Sequence, residues 1–134
     1  MAYAVHHVLT EAFVAAEEVE AYRLVIVDPT DEYKCRYPEA DSDTQLLGIT
    51  AHHAASGEVV DVVTLGVALL DVDATTDIVH GDDIVAISTA GKGQKCPTTA
   101  ATVFECIGYA RTAATAAAER IPVYISKHPR TVPA

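Results

Sequence analysis

The chain contains an internal repeat, and this feature limits its possible folds more than any other. Gly48 lies between two apolar residues, and the same arrangement recurs 60 positions later at Gly108. Two more matches keep that spacing to within one residue: Leu24-Val25 with Ile84-Val85, and residues 60–63 with residues 121–124. Two such half-units can bury their apolar faces on each other. The repeat therefore predicts a single pseudo-duplicated domain.

Short runs rich in β-branched residues predict strands at residues 22–27, 57–65, 84–87 and 121–125. Turn formers close these runs, and Gly66 is expected to end the second. Around Asp61, valines alternate with charged residues, as in a strand with one wet and one dry face. Residues 11–22 and 109–120 have helical propensity but no apolar stripe. We expect an all-β sandwich or barrel with at most one or two short helices.

The length and charge of the chain exclude several classes of function. A chain of 134 residues, half of them hydrophobic, suits one domain with its own core. The net charge of −10 argues against binding to nucleic acid or to an anionic membrane surface. The longest apolar stretches are too short or too interrupted to cross a bilayer. We therefore expect neither nucleic acid nor membrane as a partner.

The repeat and the composition together suggest a three-part organisation. Residues 1–11 are expected to form an N-terminal arm, and residues 127–134 a C-terminal tail. Residues 12–126 form a single β domain with two related halves, at about 22–65 and 82–125. Chain ends of this kind are often loose until a partner orders them.

The sequence offers no catalytic group, no cofactor site and no metal site. Adjacent histidines, as at His52-His53, point to opposite faces of a strand, and no carboxylate or cysteine stands at ligand spacing to them. The three cysteines are widely spaced, which predicts free thiols in a reducing compartment. No G-x-S-x-G motif and no phosphate loop is present. The chain is therefore not expected to be an enzyme.

Two hypotheses about function stay open from the residues alone. A small β-barrel could bind a sugar or a peptide, with Tyr33 and Tyr37 as the best aromatic pair. A small enzyme could use Cys35 or Cys96 with a histidine, although the sequence supplies no polarising base beside either thiol.

Several motifs together resemble a known family. They are residues 21–25, 47–50 and 57–63 with Gly66, then Gly81-Asp82-Asp83, residues 90–93, residues 107–110 and the closing run 121–125. In this order and spacing they resemble the tailed-phage capsid cement or head decoration proteins of the small β-tulip type. The resemblance covers about residues 12–126.

The resemblance implies a structural role without catalytic residues or cofactors. The implied partners are further copies of the chain, as a homotrimer, and the major capsid protein of a tailed phage. The implied location is the outer capsid surface of the virion, after synthesis in the host cytoplasm. There the protein would stabilise the coat lattice, and residues 1–10 and 127–134 are the candidate contact segments.

Overall fold

The computed structural model describes residues 5–39, 46–87, 90–98 and 102–132. Within these ranges the backbone forms nine strands: β1 His6–Ala15, β2 Leu24–Asp28, β3 Asp31–Arg36, β4 Leu46–Thr50, β5 Val59–Val72, β6 Asp83–Ala86, β7 Gly93–Lys95, β8 Thr102–Ala110 and β9 Glu119–Val132. The predicted all-β class is confirmed. The described residues contain no helix of the length and apolarity that crossing a membrane requires.

The strands close into two rings that share β5. In the first ring the hydrogen-bonded order is β1-β3-β2-β4-β5, and β5 pairs back with β1. In the second ring the order is β5-β7-β6-β8-β9, and β9 pairs back with β5. Each ring includes one parallel pair, β1 with β3 and β5 with β7. Closing a sheet on itself pairs strand edges that would otherwise be exposed. The fold is thus two small barrel-like units joined along one strand.

The long strand β5 passes straight through Gly66, so the prediction that Gly66 ends a strand is wrong. Gly66 pairs with His7 of β1 on one edge and with Ile125 of β9 on the other. Its φ is +114°, and a Cβ there would lie 2.1 Å from the carbonyl oxygen of His6. Glycine at this position therefore allows β1 to approach β5 closely, at the point where one ring gives way to the other.

The largest apolar cluster, which we call the central cluster, contains side chains from strands of both rings. In β2, Leu24 and Ile26 face this central cluster, whereas Val25 faces a smaller cluster inside the first ring. Strand β6 repeats the alternation, with Ile84 and Ala86 in the central cluster and Val85 in a cluster of the second ring. Since successive side chains of a strand point to opposite faces, β2 and β6 are each buried on both sides.

Corresponding contacts recur in the two rings. An isolated bridge joins Val19 to Ala54, and a second joins Ile78 to Ala114. Ile78 lies 59 positions after Val19, and Ala114 lies 60 positions after Ala54. Beside each bridge stands a residue with positive φ, Tyr22 in the first ring and Gly81 in the second. Their amides donate to the carbonyl oxygens of Thr50 and Ala110, again 60 positions apart. We propose that the two rings are copies of one ancestral unit.

The boundaries expected at residues 11 and 127 fall inside strands. β1 begins at His6, and β9 continues to Val132, where its last residues pair with β8. Residues 127–132 are therefore part of the sheet and not a separate tail. The rest of the two expected segments, residues 1–4 and 133–134, lies outside the described residues.

An ion-pair network ties the rings together at the end of β5. Asp71 accepts hydrogen bonds from Arg23 Nε at 3.1 Å and from Arg120 Nε at 2.7 Å. The guanidinium carbon of Arg120 lies 4.0 Å from the centre of the Tyr22 ring. Because Arg23 precedes β2 and Arg120 lies in β9, one carboxylate connects both rings.

The two repeat glycines are needed where strands approach closely. A Cβ on Gly108 would lie 1.8 Å from the carbonyl oxygen of Tyr124, and one on Gly48 would lie 2.2 Å from that of Val63. We predict that Gly108→Ala lowers the free energy of unfolding by about 3 kcal/mol, because strand backbones must move apart. This loss in the free energy of unfolding can be measured by urea unfolding followed by circular dichroism.

Gly57→Ala is the matched control for this substitution. Gly57 has φ +88°, but no atom lies within 4 Å of the position that a Cβ would take there. It should cost only about 1 kcal/mol, from backbone conformation alone. Equal losses in the two variants would contradict the close-approach explanation.

A glutamate closes the small-residue loop in each half. Glu119 accepts hydrogen bonds from the amides of Thr115 at 2.6 Å and Ala116 at 2.8 Å. Glu58 accepts one from the amide of Ala55 at 2.8 Å. The two amide hydrogen bonds stabilise the charged form, so they lower the pKa of Glu119 from its ordinary value of 4.5.

The lowered pKa of Glu119 makes its contribution to stability depend on pH. Its folded pKa lies below its unfolded pKa, so the contribution is complete above the unfolded value of about 4.5 and is lost as pH falls through the folded value. We predict that Glu119→Gln lowers the urea midpoint at neutral pH. The difference from the parent chain should shrink at a pH well below 4.5. A difference that does not change with pH would contradict this assignment.

Candidate functional site

The first candidate site is the open edge of β1. Strand β1 pairs with β5 from His6 to Val14, but it meets β3 only at Val14 and Ala15. Within the described ranges no strand covers the other edge of β1 from His6 to Phe13. An exposed strand edge offers unpaired N–H and C=O groups to any chain that can align with it.

Apolar side chains are concentrated along the same ribbon, which we define as β1 with residues 59–67 of β5. Val8 is 58% exposed and Val59 is 59% exposed. Leu9 and Leu65 are paired across the two strands and are 49% and 46% exposed. Exposed apolar surface of this kind marks a site of protein contact when it is contiguous. We call this surface the β1–β5 ribbon.

A cleft of about 580 Å³ opens where β1 and β3 diverge, and it is lined by Phe13, Val14, Val59, Tyr33 and three neighbouring residues. Tyr37 does not line this cleft. Its ring packs against the cluster of the first ring, and its hydroxyl accepts a hydrogen bond from the amide of Glu20 at 2.7 Å. Of the aromatic pair expected from the sequence, Tyr33 therefore lines this cleft and Tyr37 does not.

The cysteines are poorly suited to nucleophilic catalysis. Cys35 is buried in the first ring, where desolvation raises the pKa of its thiol to about 11. Burial also raises the pKa of Cys96, and it raises that of Cys106 to about 12. A protonated thiol is a weak nucleophile, so neither Cys35 nor Cys96 has the environment that an enzyme of this type requires.

A second candidate site, which the sequence analysis missed, joins Asp83, Cys106 and His128. One ligand atom from each residue lies within 4.8 Å of the other two. Arg130 also binds this site, because its Nη1 donates to Asp83 Oδ2 at 2.8 Å. Residues 106 and 128 meet only through the register of β8 with β9. Spacing along the chain contains no sign of that register, so only a correct hairpin alignment could have revealed the cluster.

The fold and these surfaces define a small all-β scaffold with an apolar, open-edged ribbon. A family model described as phage cement protein matches residues 4–125. The chain therefore belongs to the phage cement protein family, a family of structural phage head proteins and not an enzyme class.

A solved structure has a similar fold. It is the N base of the head fiber protein gp8.5 of bacteriophage phi29, which is 21% identical, with a TM-score of 0.61 over 88% of this chain and 93% of that one. At this identity the similarity shows the fold. A search of curated proteins finds no match.

Burial of the thiols leads to a simple prediction about their reactivity. All three cysteines are buried and unpaired, so we expect less than one equivalent of thiol to react with a disulfide reagent in the native protein. Three equivalents should react after unfolding in urea. Rapid labelling of Cys35 in the native protein, identified by peptide mass spectrometry, would contradict its placement in the core.

Proposed function

We propose that the protein decorates the outside of a tailed-phage head, where it binds the major capsid protein as a homotrimer and stabilises the coat lattice. Membership of the phage cement protein family supports the phage head as its place of action. The observation that carries the proposal further is the β1–β5 ribbon, because it combines an open strand edge with exposed apolar side chains.

The β1–β5 ribbon has the properties of a contact surface for another protein. A partner strand aligned along β1 would satisfy the unpaired backbone groups and give affinity through main-chain hydrogen bonds. Leu9 and Leu65 would be buried beside it, and removing apolar surface from water adds about 25 cal/mol per Å². We assign the coat-protein contact to this ribbon, which contains residues 6–10 of the N-terminal segment suggested by the sequence and none of residues 127–134.

The charge of the chain favours an exterior position. A net charge of −10 repels packaged DNA, which carries one phosphate charge about every 1.7 Å of helix axis. Binding inside a filled head is therefore electrostatically unfavourable, whereas binding to the outer surface avoids the packaged DNA.

Stabilisation of the lattice follows from binding that requires an assembled shell. A ligand that binds only the intact form shifts the equilibrium toward that form by mass action. A trimer that holds several coat subunits at once would multiply weak individual contacts through high effective concentration. Strong attachment therefore does not need a large interface for each chain.

The proposal can be tested on undecorated heads. We predict that the purified protein co-sediments with empty heads and raises their melting temperature. Leu9→Glu should weaken binding by roughly tenfold or more, because it places a charge in a desolvated contact. Leu9 is half exposed, so the folded chain should tolerate the substitution.

Val103→Glu is the matched control, since Val103 in β8 is 47% exposed, close to the 49% of Leu9. It should leave binding unchanged. Equal binding by the parent chain and Leu9→Glu would reject the ribbon as the contact. A parent chain that does not bind heads at all would reject the proposed function itself.

The trimer has a separate test in solution. Light scattering should give a mass of about 43 kDa at micromolar concentration, three times the 14.2 kDa of one chain. A mass of one chain over that range would contradict self-association before capsid binding.

A further inference from the structure

Three neighbouring strands bring Asp83, Cys106 and His128 together beneath one edge of the second ring. Asp83 begins β6, Cys106 lies in β8 and His128 lies in β9, and β8 is between the other two strands. Cys106 and His128 are direct partners in the β8–β9 register. Directly opposite residues place their side chains on the same face of a sheet. The backbone therefore preorganises a carboxylate, a thiol and an imidazole.

The hydrogen bonds of His128 leave one nitrogen facing an acceptor. Its Nδ1 lies 2.6 Å from the carbonyl oxygen of Ser126, which can only accept, so Nδ1 carries a hydrogen. Its Nε2 lies 3.1 Å from Asp83 Oδ1. With its hydrogen on Nδ1, the ring can present the Nε2 lone pair to an ion that also contacts Asp83 Oδ1.

The plane of the His128 ring is also held in place. Tyr109 stacks on it with ring centres 4.8 Å apart and an angle of 19° between the planes. A histidine that binds a metal through Nε2 commonly donates from Nδ1 to a backbone carbonyl, which orients the ring. His128 already has this arrangement.

We propose that Asp83 Oδ1, Cys106 Sγ and His128 Nε2 bind a divalent transition-metal ion of the zinc type. A set of oxygen, sulfur and nitrogen donors suits Zn²⁺ or Co²⁺ and does not suit Mg²⁺ or Ca²⁺, which prefer oxygen ligands alone. Tetrahedral bonds of about 2.0 to 2.3 Å place ligand atoms roughly 3.5 Å apart. The three atoms lie within 4.8 Å of one another, so small side-chain movements would complete the site.

Arg130 orients the carboxylate of Asp83, and a water would be the fourth ligand of the ion. Arg130 occupies Asp83 Oδ2, which leaves Oδ1 for the ion. On binding, the ion exchanges three of its waters for the three side chains, and Cys106 releases its thiol proton to solvent. Any proton held between His128 and Asp83 is released as well. The carboxylate and the thiolate then offset the two charges of the ion, and the positive charge of Arg130 remains beside the site.

The site is accessible from solvent on one side. The side chains of Asp83 and His128 are 17% and 26% exposed, whereas Cys106 is fully buried. An ion would therefore enter past the carboxylate and the imidazole and meet the sulfur last. Once bound, it would connect β6, β8 and the last part of β9.

Cobalt provides a direct probe of this site. We expect the full-length chain, treated with a chelator and then titrated with Co²⁺, to develop a thiolate-to-cobalt charge-transfer band and tetrahedral d–d bands at one equivalent. Cys106→Ser should lose the charge-transfer band. His128→Gln should weaken Co²⁺ binding by at least about tenfold. Zn²⁺ should displace the cobalt and raise the melting temperature of the parent chain.

Cys35→Ser and His53→Gln are the matched controls. Cys35 is the buried cysteine of the first ring, and His53 belongs to an exposed cluster with Glu18 and Glu20. Both variants should keep the bands. Absence of a charge-transfer band in the parent chain, or its persistence in Cys106→Ser, would overturn the proposal and leave only the contact between His128 Nε2 and Asp83 Oδ1. Head binding is measured separately, so either proposal can fail without the other.

Discussion

The pairing of one strand with both rings is the constraint on which the rest of the structure depends. The first half of β5 closes the first ring against β1 and β4, and its second half opens the second ring against β9. At Gly66, strands β1 and β9 approach β5 from opposite edges. A side chain on residue 66 would collide with β1. The central apolar cluster and the Asp71 network then hold the two halves against each other.

Much of the fold could be predicted from the sequence, because the repeat reports directly on tertiary structure. Gly48 and Gly108 mark equivalent positions where a strand backbone passes close to its neighbour, and the offset of 60 residues relates the bridges at Ala54 and Ala114. The second half of β5 was missed because Gly66 has the local character of a turn former, whereas its real role depends on a distant strand. Strand β1 was missed for a similar reason. Its side chains are nearly all exposed, so no alternation of polar and apolar residues marks it.

The sequence could likewise predict only part of what concerns the candidate sites. The family resemblance could be predicted because it rests on motifs along the chain, and the family match over residues 4–125 agrees with it. The β1–β5 ribbon and the Asp83–Cys106–His128 cluster could not be predicted, since each is created by strand register. Residues 106 and 128 are 22 positions apart and carry no metal-binding spacing, and they meet only because β8 and β9 form a long antiparallel pair. The hydrophobic half of the composition correctly indicated a domain with its own core.

The two rings should form one cooperative unit through β5, and native-state hydrogen exchange is the most direct test of this central claim. Amides of β2 in the first ring and β6 in the second should exchange with the same free energy of opening, equal to that of global unfolding, and so should those of β5. Added denaturant should lower the free energies of opening of β2, β5 and β6 together. If one ring opened at a distinctly lower free energy while β5 and the other ring stayed protected, the rings would be independent units and the claim would be wrong.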